Sequence, residues 1–124
     1  MRNLAGLGID LLEIDRLEIA LDRRPGLAGR LFTEAELEWC SRRKRPARHL
    51  AGRFCAKEAS IKAMGLRSAT IKEFEVVGGG SYQPEIRLHG RAREIAELAE
   101  VELIVSITHG REIAAATATL RSRR

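Results

Sequence analysis

The stretch AGRFCAKEASIKAMG, residues 51–65, constrains the fold more than any other in the chain. At about 100° per residue on a helical wheel, Phe54, Glu58, Ile61 and Gly65 share one face. The opposite face carries Gly52, Ala56, Ala59 and Ala63, side chains small enough for a neighbouring element to come close. The pattern predicts a long helix, from roughly Arg48 to Met64, that is buried on both sides. Glu58 lies within its apolar stripe, with Lys57 and Lys62 at its shoulders. A carboxylate buried without partners costs several kcal/mol, so Glu58 needs an explanation from elsewhere in the chain.

At 124 residues the chain has room for one domain, spanning 1–124, with one modest core. No internal repeat, low-complexity segment or linker divides it. Residues 3–10 read as a strand with Gly6, Gly8 and Asp10 on one face and Leu7 and Ile9 on the other. Glycines inside a strand mark close approach by another backbone or a ligand. A helix is expected from about Leu11 to Asp22, with Ile14, Leu17 and Leu21 inward, ended by Pro25 and Gly26. Thr33 followed by Glu36 is a capping-box signature for a short helix through about Arg42. In the second half, KEFEVVGGGSYQPEIRLHG reads as two strands around a Gly-rich turn, and RAREIAELAE as a short amphipathic helix. VELIVSITHGREIAAATATL then alternates as strand, His-Gly turn, strand. The order of strand, three helices, two strands, helix and hairpin is that of an α+β domain with a small, mainly antiparallel sheet. Such a sheet has edges and one face to cover, so self-association is expected.

The apolar fraction of 44% is that of a globular chain, and no apolar run approaches the ~20 residues of a membrane span. The opening run LAGLGI is interrupted by Asp10 and lacks a small-residue cleavage site, so a cytoplasmic protein with no membrane partner is expected. Cys40 and Cys55 fall in predicted helices without metal-ligand spacing and read as reduced core thiols. The net charge of +5 and pI near 9.9 argue for an anionic partner, and nucleic acid, a phosphorylated cofactor and an acidic protein surface all fit. The densest basic run, RRKRPAR at 42–48, has no interleaved aromatics, and aromatics are only 4% of the chain, poor material for stacking bases. A solvated positive loop is its plain alternative.

Asp10, Glu58 and His109 are each an ionisable residue at or near the end of an apolar face. His109 ends the row Leu103, Val105, Ile107. Singly, each has an ordinary explanation: Asp10 with Glu13 as a helix N-cap, Glu58 paired with Lys62 at i,i+4, His109 as a turn residue before Gly110. Jointly they suggest a site, because two carboxylates with few other protein ligands suit Mg²⁺, which takes further oxygens from water and substrate phosphates. Lys62, Arg53 and His109 would then bind the remaining phosphate charge. Transfer at a diphosphate is the chemistry this favours, since positioning and charge neutralisation supply most of its catalysis. There is no Walker loop, serine nucleophile elbow or Cys–His pair in a credible context.

At these residues the chain resembles a known family, the holo-[acyl-carrier-protein] synthases, the small trimeric type of 4'-phosphopantetheinyl transferase. The matching segments are GLGIDLLEIDRL at 6–17, LFTEAELEWC at 31–40, AGRFCAKEASIKAMG at 51–65 and VSITHGREIAAATATL at 105–120. The resemblance implies the 4'-phosphopantetheinyl transferase fold, a homotrimer, and movement of the phosphopantetheine arm of coenzyme A onto a serine of apo-acyl-carrier protein, with release of 3',5'-ADP. Asp10 and Glu58 would be Mg²⁺ ligands, and Glu58, directly or through a water, would help deprotonate the serine. Lys62 would steady the transferring phosphoryl group, while Arg53 and His109 would lie among the coenzyme A phosphate contacts. Arg16 would meet the acidic carrier protein. The family's site forms between subunits, so Asp10 and His109 need not come from the subunit that provides Glu58.

Two departures from the family stand out. LRSATIKEF, residues 66–74, is shorter than the usual link and lacks its glycines, and Tyr82-Gln83-Pro84 replaces the usual Gly-Lys-Pro turn. Both imply an altered rim around the cofactor. Two competing readings are a basic nucleic-acid-binding module using residues 42–48 and the tail RSRR, and an inactive homologue that binds the carrier protein. The transferase reading is preferred, with no nucleic acid among the partners.

Overall fold

Small residues set the architecture. The computed structural model describes residues 6–66 and 70–123. Strands β1 (Leu7–Glu13), β4 (Val101–His109) and β5 (Ile113–Ser122) form an antiparallel sheet in the order β1-β5-β4. On the inner face of the middle strand lie Ala114, Ala116 and Ala118, all buried, and beside them on β1 lie Gly8 and Asp10. No large side chain stands on that part of the sheet, so a helix can settle close to it.

Helix α4 occupies the position. Between β1 and α4 the chain forms helices α1 (Ile14–Arg23), α2 (Leu27–Leu31) and α3 (Glu34–Ser41), and α4 itself runs Pro46–Met64. Pro46 is at the first helical turn, where its missing N–H costs nothing, and Gly65 closes the helix in the left-handed region at φ 68°. Ala51, Cys55, Ala56, Ala59 and Ala63 are buried. The expected small-residue face therefore packs as read, on the alanines and glycines of the sheet. The other stripe is only half covered: Phe54, Glu58 and Ile61 are intermediate in burial, and Gly65 is exposed. In the single chain the helix is thus buried on one side and partly open on the other.

Strands β2 (Phe74–Gly79) and β3 (Tyr82–Leu88) form the expected hairpin, but as a separate two-stranded ribbon. The short 3-10 turn Ile71–Glu73 leads into it, and α5 (Gly90–Ala99) leads from it to β4. All the described pairings are antiparallel. Residues 67–69 of the shortened link and residues 3–5 of the expected first strand lie outside the described residues.

Two expectations are corrected at the first strand. β1 pairs with β5 from Leu7↔Thr119 through Glu13↔Ile113, so Asp10 sits inside the strand and not at its end. Helix α1 consequently starts at Ile14, with Glu13 as an N-cap that makes no side-chain bond, and Asp10 does no capping. The Pro25–Gly26 break is real, but α2 follows it as a further short helix.

The capping box at Thr33 and Glu36 forms as expected and has a second use. Glu36, fully buried, accepts from Thr33 N at 2.8 Å, from Lys57 Nζ at 2.6 Å and from Val76 N at 2.7 Å. Lys57 is not a shoulder for Glu58. It is buried on the far side of α4, where burial pulls its pKa down and the Glu36 charge opposes that. Glu36 thus ties α3, α4 and β2 together, its bonds to Lys57 and Val76 lying in the interior. Thr33 Oγ1 also donates to Glu75 Oε2 at 2.8 Å. Thr33→Ala removes the cap and this link, and should cost about 1–2 kcal/mol in urea unfolding. Thr33→Ser, which keeps the hydroxyl, should recover most of it.

Candidate active site

The glycines of β1 and the alanines of α4 bring a strand carboxylate up to a helix. A Cβ built on Gly6 would lie 1.6 Å from the carbonyl oxygen of Ala63, and one on Gly8 would lie 1.9 Å from that of Ala59. Only glycine permits this approach. Asp10 is the next residue on the same face, and it meets the flank of α4 that carries Glu58 and Lys62. Lys62 Nζ donates to the carbonyl of Ile9 at 3.0 Å and stands 3.5 Å from Asp10 Oδ1. Glu58 is half-buried, and burial raises its pKa; the Asp10 charge raises it further while Lys62 pulls the other way. The ordinary pairing of Glu58 with Lys62 at i,i+4 is not made, because Lys62 reaches across to β1.

Two carboxylates from the strand and the helix therefore feel one another's charge, with the Lys62 ammonium beside Asp10. Their mutual repulsion and the partial burial of Glu58 suit a divalent cation, which would favour the ionised form of Glu58. Among the described residues no cluster of three or more His, Cys, Asp and Glu side chains is suited to a metal ion. A cation bound here would thus take two protein carboxylates and find its other ligands in water or substrate, as a hard cation such as Mg²⁺ does. Cys55 is not a reactive neighbour: burial and Asp10 push its thiol up to about 12. Cys40 is likewise buried and free, pushed up to about 11 by burial.

The opposite flank of α4 holds a second cluster. A cavity of about 340 Å³ is lined by Trp39, His49, Arg53, Gly79, Tyr82 and His109, among others. Arg43 and Arg53 lie over the Trp39 ring, 3.8 and 3.9 Å from its centre. Arg53 is buried, donates to the carbonyl of Gly78 at 2.7 Å and leaves its Nε without a hydrogen-bond partner. The Gly-rich turn is pressed against the indole: Gly79 has φ 102°, and a Cβ there would come within 3.1 Å of the Trp39 ring. His109, at the end of β4, packs its ring edge-on to His49 at 5.0 Å.

The predicted site residues thus fall into two sets. Asp10, Glu58 and Lys62 come together on the β1 side of α4, and Arg53 and His109 come together on the β4 side. Lys62 does not join Arg53 and His109 within one chain. Arg16 stands apart, exposed on α1. Trp39 and His49 were not picked out as site residues in the sequence, and Arg43 only as part of the basic run, although Trp39–Arg43 and His49–Arg53 have the i,i+4 spacing of helical neighbours. The basic run is not a merely solvated loop. Arg43 stacks on Trp39, Arg45 donates to the carbonyl of Arg111 at 3.0 Å, and Arg48 donates to His109 at 2.7 Å. Tyr82 and Pro84 of the departing turn line the cavity, so that departure does reach its rim.

A strand–helix carboxylate pair on one flank of the long helix and a basic cavity on the other, on this α+β fold, define a class. Residues 6–118 match the family model of the 4'-phosphopantetheinyl transferase superfamily (ACPS), and the chain belongs to that family. Within it, the holo-[acyl-carrier-protein] synthase of Moorella thermoacetica is 43% identical over 118 residues, covering 93% of this chain and 92% of that protein. The chain is similar in structure to an ACPS–CoA complex from Chronobacterium ammoniagenes, with a TM-score of 0.82, 30% identity and coverage of 97% and 98% of the two chains. A holo-(acyl-carrier-protein) synthase from Bacillus anthracis, solved in complex with CoA (3',5'-ADP), gives a TM-score of 0.77 at 31% identity, covering 94% of this chain and 96% of that one. No helix among the described residues is long and apolar enough to cross a membrane.

Proposed function

We propose that this chain transfers the 4'-phosphopantetheine arm of coenzyme A to a serine of apo-acyl-carrier protein, releasing 3',5'-ADP, in a reaction that depends on Mg²⁺. The observation that carries the reading is the juxtaposition of Asp10 with Glu58 and Lys62, made possible by Gly8. The serine oxygen attacks the phosphorus next to the pantetheine, and the bond from that phosphorus to the bridging oxygen of the diphosphate breaks. The pantetheine phosphate becomes a diester to the serine, and 3',5'-ADP leaves with the bridging oxygen. Glu58 takes the serine proton, its basicity raised by burial and by Asp10. Lys62 donates to the phosphoryl oxygens as charge shifts among them. Asp10 and Glu58 would hold Mg²⁺, which supplies neutralisation of the diphosphate charge.

Arg53 and His109, with Trp39 and Arg43, make a basic and aromatic cavity that suits the nucleotide end of coenzyme A. The helix separates this cavity from the carboxylates of the same chain, so a whole site requires a second copy. The outer sheet face supports such assembly. Leu7, Ile9 and Leu11 are 70%, 63% and 62% exposed, and Ile104 and Ile113 extend the same face across β4 and β5. Burying that face between copies is the reading behind a homotrimer with sites at its interfaces.

The exposed Arg16 on α1 suits an acidic carrier. Arg16→Glu should raise KM for the carrier about tenfold and leave KM for coenzyme A unchanged, since Arg16 is exposed and remote from both clusters. Steady-state kinetics with each substrate varied separates the two. The function itself is tested by incubating the protein with apo-carrier, coenzyme A and Mg²⁺ and weighing the carrier intact. A phosphopantetheine adduct is expected, absent with EDTA. No adduct on any of several carriers would overturn the reading.

A further inference from the structure

We propose that Arg48 is a positioning residue that holds His109 as a neutral imidazole, with Nδ1 as acceptor and Nε2–H as the donor offered to an anion in the cavity. The inference rests on the reading that this cavity takes a phosphorylated cofactor. It starts from one bond: Arg48 Nε donates to His109 Nδ1 at 2.7 Å, in a part-buried position. A guanidinium has donors only, so the ring nitrogen that receives it must present a lone pair. That fixes the tautomer, because a neutral imidazole with Nδ1 as acceptor carries its proton on Nε2. A second proton would place N–H against N–H at hydrogen-bond distance, and Arg48 would have to let go.

The surroundings act in the same direction. From α4, Arg48 and the His49 ring, nearly perpendicular to it, neighbour the imidazole, and from the preceding loop Arg45 adds a second cation. Burial and these two arginines lower the pKa of His109, and only a hydrogen bond with its own backbone opposes them. His49 is lowered too, first by burial and then by His109 and the arginines. His109 therefore serves as a fixed hydrogen-bond donor, and the positive charge lining the cavity resides on Arg43 and Arg53, with Arg48 bonded to His109. A cavity built this way keeps its hydrogen bond to phosphate constant across neutral pH, where an imidazolium clamp would weaken.

The test is the histidine side-chain ¹⁵N–¹H spectrum of the ligand-free protein between about pH 6 and 8, with the signals assigned through His109→Gln. His109 should show a pyridine-like Nδ1 and a pyrrole-like Nε2 that do not move over this range. In Arg48→Met the ring should populate both tautomers and titrate within the range, whereas Arg48→Lys, which keeps an N–H donor, should restore the Nε2–H form. Calorimetry with coenzyme A at each pH gives the binding counterpart. The Arg48→Met to wild-type affinity ratio should rise about threefold or more from pH 8 to pH 6, with the cofactor's own titration cancelling. A wild-type His109 protonated on Nδ1, or a tautomer unchanged in Arg48→Met, overturns the proposal. Coenzyme A failing to bind either protein would count against the cavity's assignment, and the spectra would still decide the role of Arg48.

Discussion

Glu58→Gln should lower the transfer rate about a thousandfold or more while leaving the fold intact, because in the proposed mechanism it would remove a metal ligand and the proton acceptor together. The amide keeps the shape of the carboxylate and loses its charge. Its effect on stability has the opposite sign. Folding raises the pKa of Glu58, so the folded chain disfavours the carboxylate, and this cost applies at pH values above the folded pKa. It is relieved as pH falls through that value. Glutamine removes the cost at neutral pH, and in metal-free buffer Glu58→Gln should melt at the same temperature as the parent or a few degrees above it. Loss of activity with gain of stability is the signature of a site residue, and single-turnover kinetics beside a melting curve read both. Full activity in this variant would remove Glu58 from the mechanism.

Gly8→Ala should be among the most destabilising single-methyl changes available to the chain. The added Cβ would lie 1.9 Å from the backbone carbonyl of Ala59, and a backbone atom inside α4 cannot rotate away. Relief requires β1 and α4 to separate by more than an ångström along their whole contact, at a cost of roughly 3 kcal/mol or more. The same separation draws Asp10 away from Glu58 and Lys62. Whatever protein remains folded should therefore transfer far less per folded molecule, and Mg²⁺ should no longer raise its melting temperature. Gly29→Ala is the control: nothing lies within 4 Å of a Cβ there, and its midpoint in urea should stay close to the parent's. Equal midpoints for the two variants would show that β1 and α4 are not closely packed in solution.

What could be read from the sequence follows from how local each feature is. The small face of α4, the Thr33–Glu36 capping box and the glycine face of β1 are repeating or short-range patterns, and each forms in the fold. Asp10 was misplaced because strand length is set by the partner: β5 continues the ladder to Glu13, beyond where alternation in β1 alone would stop it. The burial of Lys57 was illegible because its partner Glu36 is 21 residues away. The division of the site was readable in principle. Arg53 and Lys62 are nine positions apart on one helix, about 180° out of phase, and cannot serve one pocket on one chain. Trp39 was hidden by composition, since a 4% aromatic content said nothing of one indole held between two guanidinium groups.

If the carboxylates of one copy work with the basic cavity of another, two differently disabled chains can repair each other. Glu58→Gln keeps the cavity and loses the carboxylate, and the double variant Arg53→Met, His109→Ala does the reverse. Each should be nearly inactive alone. Co-expressed with different tags and purified through both, they form mixed oligomers in which some interfaces pair an intact carboxylate set with an intact cavity. Phosphopantetheine transfer to the carrier, read by intact mass, should return in the mixed oligomers well above the level of either variant. Mixed oligomers that are folded and associated yet remain inactive would contradict it.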